Sequence, residues 1–589
     1  MRIEYPRPQF KRADWLLLNG EWDFAFDDFN IGQKEKWYNL DSLPLKINVP
    51  FAYESKLSGI NDTSCHDFIW YKRKVVVPEK WQGKRIFINF GAVDYYSRIY
   101  VNGHFVGDHI GGNTSFSFDI TDYLNYKEED ITVFVTDYSR KETQPRGKQF
   151  WEDKSRAIWY TRTSGIWQSV FLECVDEFHV KNIKITPDID KGYAEFEIEL
   201  SDLSENLYID LEVKLGDDIV NFIKIKADNR FVKVVVDIFK NKIMNGFTHG
   251  MGLCWSPENP VLFDVCVRLS EENNILDTVY SYFGMRKIHV ENGKIFLNNH
   301  RYYMRLVLDQ GYWPDGLLTA PSDKDFIKDI ELAKQMGFNG ARKHQKVEDP
   351  LYLYYADKLG FLVWGEMANS ASYDDEYVKL IQNEWIDIIK RDYNHPCIVT
   401  WVPMNESWGV PNLKTCKKQQ AHLQALYYLT KSLDQTRLVI SNDGWEMTDT
   451  DICAIHTYDH GTIDDVKKHH DYANILSSRE SLISCPSTNR FIFVDGYELG
   501  DRPIIITEFG GVAYGFDENA YGYTNVDNEK DFIKFMSIVF NAIHNSKAIE
   551  GFCYTQLTDV EQEVNGLLTK DRKPKCDINI IRDIVLNNR

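Results

Sequence analysis

Residues 398–408 read Ile-Val-Thr-Trp-Val-Pro-Met-Asn-Glu-Ser-Trp, and residues 503–511 read Pro-Ile-Ile-Ile-Thr-Glu-Phe-Gly-Gly. Each is an apolar run too short for a helix, and each ends abruptly in a carboxylate. Runs that are apolar at successive positions fit parallel strands covered on both faces. Six more lie in the same half of the chain: Tyr302–Leu308, Phe338–Arg342, Leu362–Trp364, Leu438–Ser441, Ile452–Ile455 and Gly551–Tyr554. Helical patterns separate them. Ser322–Met336 opens with Ser-x-x-Asp, an acidic variant of the capping box, and Tyr373–His395 and Leu413–Asp434 are long and amphipathic. Eight strands alternating with helices predict a (β/α)8 TIM barrel over residues 287–589. A doubly wound open sheet is the competitor, but no Gly-x-Gly-x-x-Gly follows a strand and there is no P-loop.

The texture upstream is different. Residues 1–175 carry short β-branched and aromatic runs such as Arg85–Asn89, Ser97–Val101, Ser115–Phe118 and Ile131–Val135, with turn signals at Asn102-Gly103 and Gly111-Gly112. They predict a β-sandwich of jelly-roll type. Residues 176–286 alternate apolar and polar in Glu195–Leu200, Tyr208–Val213, Phe231–Val236 and Asp264–Leu269, which predicts an immunoglobulin-like β-sandwich.

Composition narrows the function. The 589 residues include 68 Lys and Arg against 88 Asp and Glu, a net charge of −20, so a nucleic-acid partner is excluded. No apolar stretch approaches the ~18 residues of a membrane helix. Aromatic residues make up 14% of the chain; β-sheets account for this, and stacking on sugar rings is the sharper reading. The start of the chain lacks the apolar segment of a secretory signal, and the ten cysteines show neither C-x-x-C nor zinc spacing. A reduced, cytoplasmic setting is expected, with a homo-oligomer possible.

In such barrels chemistry collects where the strands end. Strand four ends in Asn405-Glu406 between aromatics, and strand seven ends in Thr507-Glu508, followed by two glycines that permit a sharp turn. Two carboxylates on opposite sides of one mouth suit glycoside hydrolysis, in which one acts as acid/base and the other as nucleophile.

These motifs resemble the two signatures of glycoside hydrolase family 2. The resemblance runs the length of the chain, through Leu18-Asn19-Gly20-Glu21-Trp22, Tyr100-Val101-Asn102-Gly103, Thr163-Ser164-Gly165-Ile166-Trp167 and Phe283-Gly284-Met285-Arg286-Lys287. It implies that Glu406 is the acid/base and Glu508 the nucleophile. It further implies that Asn405 binds a 2-hydroxyl, that Tyr458 donates to the nucleophile and that Arg342 orients it. Glu366, ending strand three, either shapes the electrostatics, binds sugar or serves as scaffold. Asp309, His456 and Trp408 complete the candidates at the strand ends. No metal and no cofactor are expected.

Three departures bear on the sugar. The β-glucuronidase branch places an Asn-x-Lys pair where this chain has Glu563 and Asn565, and a carboxylate there argues against a uronic acid. After strand two, Arg342-Lys343-His344-Gln345-Lys346 replaces the family's His-Tyr; Lys343 and Lys346 are either solvated or an alternative carboxylate site. Trp159 stands where relatives have an Asp, after the insert Tyr138–Arg156. The reading is a retaining exo-β-glycosidase of β-galactosidase type acting on an oligosaccharide or glycoconjugate. The alternatives are a β-uronidase and, from another class, a non-catalytic carbohydrate-binding protein.

Overall fold

The computed structural model describes residues 4–239, 251–272, 274–484, 490–514 and 520–587. The first unit is a sandwich of two antiparallel sheets. One has four strands, in the order Trp15–Leu17, Val170–Val175, Arg85–Phe90 and Phe116–Asp119. The other has six, in the order Leu45–Val49, Gly20–Phe26, Phe68–Val75, Glu129–Thr136, Tyr96–Val101 and His104–Ile110. Their inner faces close on a core that includes Trp22, Tyr71, Ile88 and Val133.

The second unit packs a three-stranded sheet on a four-stranded one. In Tyr193–Leu200 every second residue is buried, the period expected of a strand with one face on a core. That core is mostly aliphatic, with Ile183, Ile198, Leu211 and Val267 beside Phe196, Phe263 and Phe283.

The third unit is the barrel. Its strands are Met304–Asp309, Gly340–Lys343, Leu362–Glu366, Ile398–Val402, Leu438–Val439, Cys453–Thr457, Ile504–Gly510 and Ile549–Thr555, numbered one to eight below. They pair in parallel in the ring order five-four-three-two-one-eight-seven-six. Among the described residues no ladder joins strands five and six. Strand five has only two residues, too few to pair fully on both sides.

Two helix expectations shift in detail. Helix Asp323–Gln335 starts after Ser322, but the Ser322 hydroxyl donates to Asp325 Oδ2 instead of accepting from the helix backbone. The helix expected from Leu413 begins at Lys417, because Asn412–Cys416 forms a turn in which the Asn412 carbonyl accepts from the Thr415 and Cys416 amides. Of the nine cysteines described, all are free and seven are buried. Among the described residues no helix is long and apolar enough to cross a membrane.

Candidate active site

Strand seven delivers Glu508 into the barrel mouth. Gly510 and Gly511 then turn the chain with φ of 87° and 61°. A Cβ on Gly510 would come within 2.3 Å of the Tyr554 ring, and one on Gly511 within 2.4 Å of Tyr523, so only glycine fits at either position. Strand four delivers Asn405 and Glu406. Here two non-glycine residues, Glu406 and Ser407, adopt left-handed φ of 50° and 60°. Such conformations cost on the order of 1–3 kcal/mol each and persist only when neighbours enforce them. The enforcement is visible: the Glu406 amide donates to the Asp443 carbonyl at 2.9 Å, and the Ser407 amide to Asn442 Oδ1 at 3.0 Å.

Arg342, on strand two, is 0% exposed and organises the floor of the mouth. It donates to Glu508 Oε1 at 2.9 Å, Asn405 Oδ1 at 2.7 Å, Glu366 Oε2 at 2.7 Å and the Thr507 carbonyl at 3.0 Å. Asp443 Oδ2 lies 3.1 Å from its Nε. The Tyr458 hydroxyl donates to Glu508 Oε2 at 2.7 Å, and its ring stacks on Tyr523 with centroids 3.6 Å apart. Burial by itself would raise the Glu508 pKa. The charges of His456 and Arg342 outweigh it, with the Tyr458 hydrogen bond adding to them, and bring the pKa down to about 2. Glu508 is therefore ionised at neutral pH.

His456 links the two carboxylates. Its Nδ1 is 2.8 Å from Glu406 Oε1, and its Nε2 is 3.2 Å from Asp443 Oδ1 and 3.6 Å from Glu508 Oε1. Burial opposes its charge. The charge of Glu508 and the hydrogen bonds to Asp443 and Glu406 prevail and lift its pKa to about 10. One oxygen of Glu406 and one of Glu508 lie within 4.8 Å of each other, with a His456 nitrogen within the same distance of both. The other cluster of metal-ligand types among the described residues is Asp357, His395 and Cys397. It is a packing hub whose Asp357 oxygens already take the Tyr282 hydroxyl, His395 Nδ1 and the Cys397 amide.

Four candidates read from the sequence face away from the mouth. Glu366 spends Oε2 on Arg342 and Oε1 on the Gln345 amide, which is the scaffold role. Asp309 accepts from Lys343 Nζ at 2.7 Å and from the Gly311 amide at 2.9 Å. Lys343 and Lys346 are neither solvated nor open to a substrate. Lys343 sits between Asp309 and Glu348, 2.7 and 2.8 Å away, with its ammonium over the Tyr352 ring. Lys346 donates to the Gly311 and Leu318 carbonyls and pairs with Glu348 at 3.1 Å. The cause is burial on both sides of strand two's end: Lys343 meets the helix that follows the strand, and Lys346 meets the loop after strand one.

The first sandwich completes the mouth. The amides of Arg146 and Gly147 both donate to the Asn369 carbonyl, just beyond strand three. Trp159 meets Trp408 edge to face with centroids 4.7 Å apart. Gln562 Nε2 donates to the Trp159 carbonyl at 2.9 Å, and the Tyr160 hydroxyl donates to Glu563 Oε2. Glu563 Oε1 takes Asn565 Nδ2 at 3.1 Å. Lys148 comes from the same loop and was not among the residues singled out by sequence. Only its place in the long insert pointed to it. Its Nζ lies 5.3 Å from the Trp159 ring centroid and 5.9 Å from that of Tyr160. Asp443 was also missed, because it lies two residues past the run Leu438–Ser441 read as strand five.

Several buried polar atoms at the mouth have no protein partner: Asn405 Nδ2, both side-chain polar atoms of Gln345, and Asn565 Oδ1. Such atoms mark where a polar ligand would complete the hydrogen bonding.

Two jelly-roll and immunoglobulin-like sandwiches before a barrel, with two facing glutamates at its mouth, define the architecture of a multidomain glycoside hydrolase. Family models match all three units: "Glycosyl hydrolases family 2, sugar binding domain" over residues 16–175, "Glycosyl hydrolases family 2" over 178–286 and "Glycosyl hydrolases family 2, TIM barrel domain" over 288–587. The chain belongs to glycosyl hydrolase family 2. It is 29% identical over 408 residues to a β-galactosidase of Thermoanaerobacter pseudethanolicus, covering 67% of this chain and 51% of that one. The chain thus spans about half the length of the first curated relatives it matches. A β-glucuronidase of Paenibacillus borealis is 24% identical over 609 residues, covering 96% of both chains. Among solved structures, the β-glucuronidase of Ruminococcus gnavus in complex with D-glucuronic acid superposes with a TM-score of 0.78 at 18% identity, over 99% of both chains. At that identity the superposition speaks for the fold.

Proposed function

We propose that this protein is a retaining, exo-acting β-glycosidase, with Glu508 as nucleophile and Glu406 as general acid/base. The carrying observation is that one oxygen of Glu406 and one of Glu508 lie within 4.8 Å of each other. Retaining enzymes hold theirs roughly 5–5.5 Å apart, whereas inverting enzymes leave roughly 6.5–9.5 Å for a water. Glu508, ionised and held by Arg342 and Tyr458, attacks the anomeric carbon as the glycosidic bond breaks, and Glu406 gives its proton to the departing oxygen. A glycosyl ester on Glu508 results. Glu406 then takes a proton from water, whose oxygen attacks the same carbon and releases Glu508. Exposure fits the roles: the Glu406 side chain is 18% exposed and Glu508's 5%, so the group that must meet leaving group and water is the more accessible. Asn405 Nδ2, buried and unpartnered, is the donor available to a sugar 2-hydroxyl.

The sugar is a finer matter. A β-galactoside is the reading from sequence, supported by the β-galactosidase relatives and by Glu563 in place of the glucuronidase pair. A β-uronide is the second reading. It is favoured by relatives of matching length, which are β-glucuronidases, and by the cation Lys148 beside the mouth. A non-catalytic binder would not need both glutamates held this way. The test is chromophore release from aryl β-glycosides. Glu508→Gln should lose it for every sugar. Glu406→Ala should retain turnover on dinitrophenyl glycosides, whose departure needs little protonation. Full activity of Glu508→Gln would refute the assignment.

A further inference from the structure

The loop of the first sandwich places an unpaired ammonium in the catalytic mouth. Lys148 is 6% exposed, and among the described residues its Nζ has no hydrogen-bond or ion-pair partner. Its surroundings fix where it sits. On one side the preceding residues are pinned to the ends of strands two and three: the Arg146 and Gly147 amides bind the Asn369 carbonyl, and a Cβ on Gly147 would come within 2.1 Å of the Gln345 carbonyl. On the other side the Lys148 carbonyl accepts from the Tyr160 amide at 2.9 Å, and the Tyr160 hydroxyl is tied to Glu563 beyond strand eight. Beneath the ammonium lies Trp159, which touches Trp408, two residues past Glu406. Lys148 is therefore bracketed by groups from strands two, three, four and eight.

Lys148 Nζ keeps some contact with solvent, but burial of the residue strips part of its hydration and no acceptor of the protein replaces it. Burial lowers the Lys148 pKa. The charges that oppose this are Glu563 first, then Glu406 and Glu508 at the mouth and Glu366 behind Arg342, none in ion-pair contact. By contrast, Arg342 on the floor of the mouth is engaged by four acceptors, and Lys343 and Lys346, which face away from it, are engaged by carboxylates and carbonyls. Glu563, the strongest of these opposing charges, accepts from Tyr160 and Asn565 and makes no hydrogen bond or ion pair to Lys148.

We propose that Lys148 is the specificity-determining cation of this pocket, and that it pairs with the carboxylate of a terminal β-linked hexuronic acid. The assignment rests on the glycosidase reading above. It replaces a cation from the barrel, which the chain lacks beside Asn565, with one carried by a different domain. Gln345 and Asn565 Oδ1 remain as unpartnered groups for the hydroxyls.

The experiment compares kcat/KM for nitrophenyl β-D-glucuronide and β-D-galacturonide with that for the matching glucoside and galactoside. It is run in the full chain and in Lys148→Met and Lys148→Arg. The wild type should prefer one of the uronides at least tenfold. Lys148→Met should cut the uronide-to-neutral ratio at least 100-fold, mainly through KM, and Lys148→Arg should restore part of it. A ratio unmoved in Lys148→Met, with both activities falling together, would mean that the lysine only shapes the loop and would overturn the proposal. A wild type preferring a neutral glycoside tenfold, still lost in Glu508→Gln, would overturn it while leaving the glycosidase reading intact. A panel with no hydrolysed member would sink both.

Discussion

Removing the Tyr458 hydroxyl should separate the two halves of the reaction. The hydroxyl donates to Glu508 Oε2 at 2.7 Å, while Arg342 holds Oε1 at 2.9 Å. In Tyr458→Phe the nucleophile keeps its charge partner and loses one charge-assisted hydrogen bond, worth about 1.5–3 kcal/mol. In the first step the carboxylate's charge disappears into an ester, so that bond stabilises the starting state more than the transition state. In the second step the charge returns as Glu508 departs, and the bond favours the transition state. Full expression of the loss would slow the second step roughly 13- to 160-fold at 1.36 kcal/mol per tenfold. If half of the charge has formed at the transition state, the factor is roughly 4- to 13-fold. The first step should be unimpaired. The glycosyl ester should then accumulate, seen as a burst of chromophore in stopped flow and as one added sugar on the intact protein by mass spectrometry. The ring should stay in place, because it stacks on Tyr523. Loss of the donor also lifts the Glu508 pKa from about 2, so the acid limb of kcat/KM moves to higher pH. A Tyr458→Phe enzyme with no burst, unchanged kcat and an unmoved acid limb would refute the reasoning.

Two further predictions concern the scaffold. Lys343→Met strands Asp309 and Glu348, whose oxygens it holds at 2.7 and 2.8 Å, and should cost about 3–5 kcal/mol, read as a lowered melting temperature. The ratio of uronide to neutral hydrolysis should stay at the wild-type value; a changed ratio would place this lysine in the pocket after all. Glu384 of helix Asp375–Asp392 takes the Tyr95 hydroxyl and the Asn113 amides from the first sandwich, and burial raises its pKa from 4.5 to about 7 against those hydrogen bonds. The folded state thus binds this proton more tightly. The associated stability is complete below about pH 4.5 and is lost as pH rises to about 7. Glu384→Gln, which keeps hydrogen-bonding groups but cannot ionise, should gain in melting temperature over the wild type as pH goes from 5 to 8; a difference independent of pH would contradict this.

The fold was legible because its signals are local. Eight apolar runs punctuated by helices identify a barrel, strand ends name Glu406 and Glu508 as residues that converge, and the family resemblance adds Arg342 and Tyr458. Side-chain direction past a strand end is not local. Lys343 and Lys346 read as mouth residues because they follow Arg342. In the structure both are buried with Glu348, Lys343 against Tyr352 of the following helix and Lys346 against the Gly311 and Leu318 carbonyls of the loop after strand one. Asp309 and Glu366 read as free carboxylates for the same reason, since their cationic partners lie tens of residues away. Lys148 escaped because no periodicity connects an insert in a sandwich to the mouth of a barrel 200 residues downstream in the sequence. The Tyr458 ring's partner, Tyr523, lies between two strands with no pattern of its own to mark it.

Asn369 has a meaning beyond holding a loop. Its carbonyl accepts from Arg146 and Gly147, its Oδ1 accepts the Asn405 amide at 2.8 Å, and its Nδ2 donates to the Pro403 carbonyl at 3.0 Å. One residue therefore sets both the seat of the sandwich loop and the height of the segment that carries Glu406. The two cannot drift independently: whatever lifts the loop also loosens the acid/base, so recognition and proton transfer share a hinge.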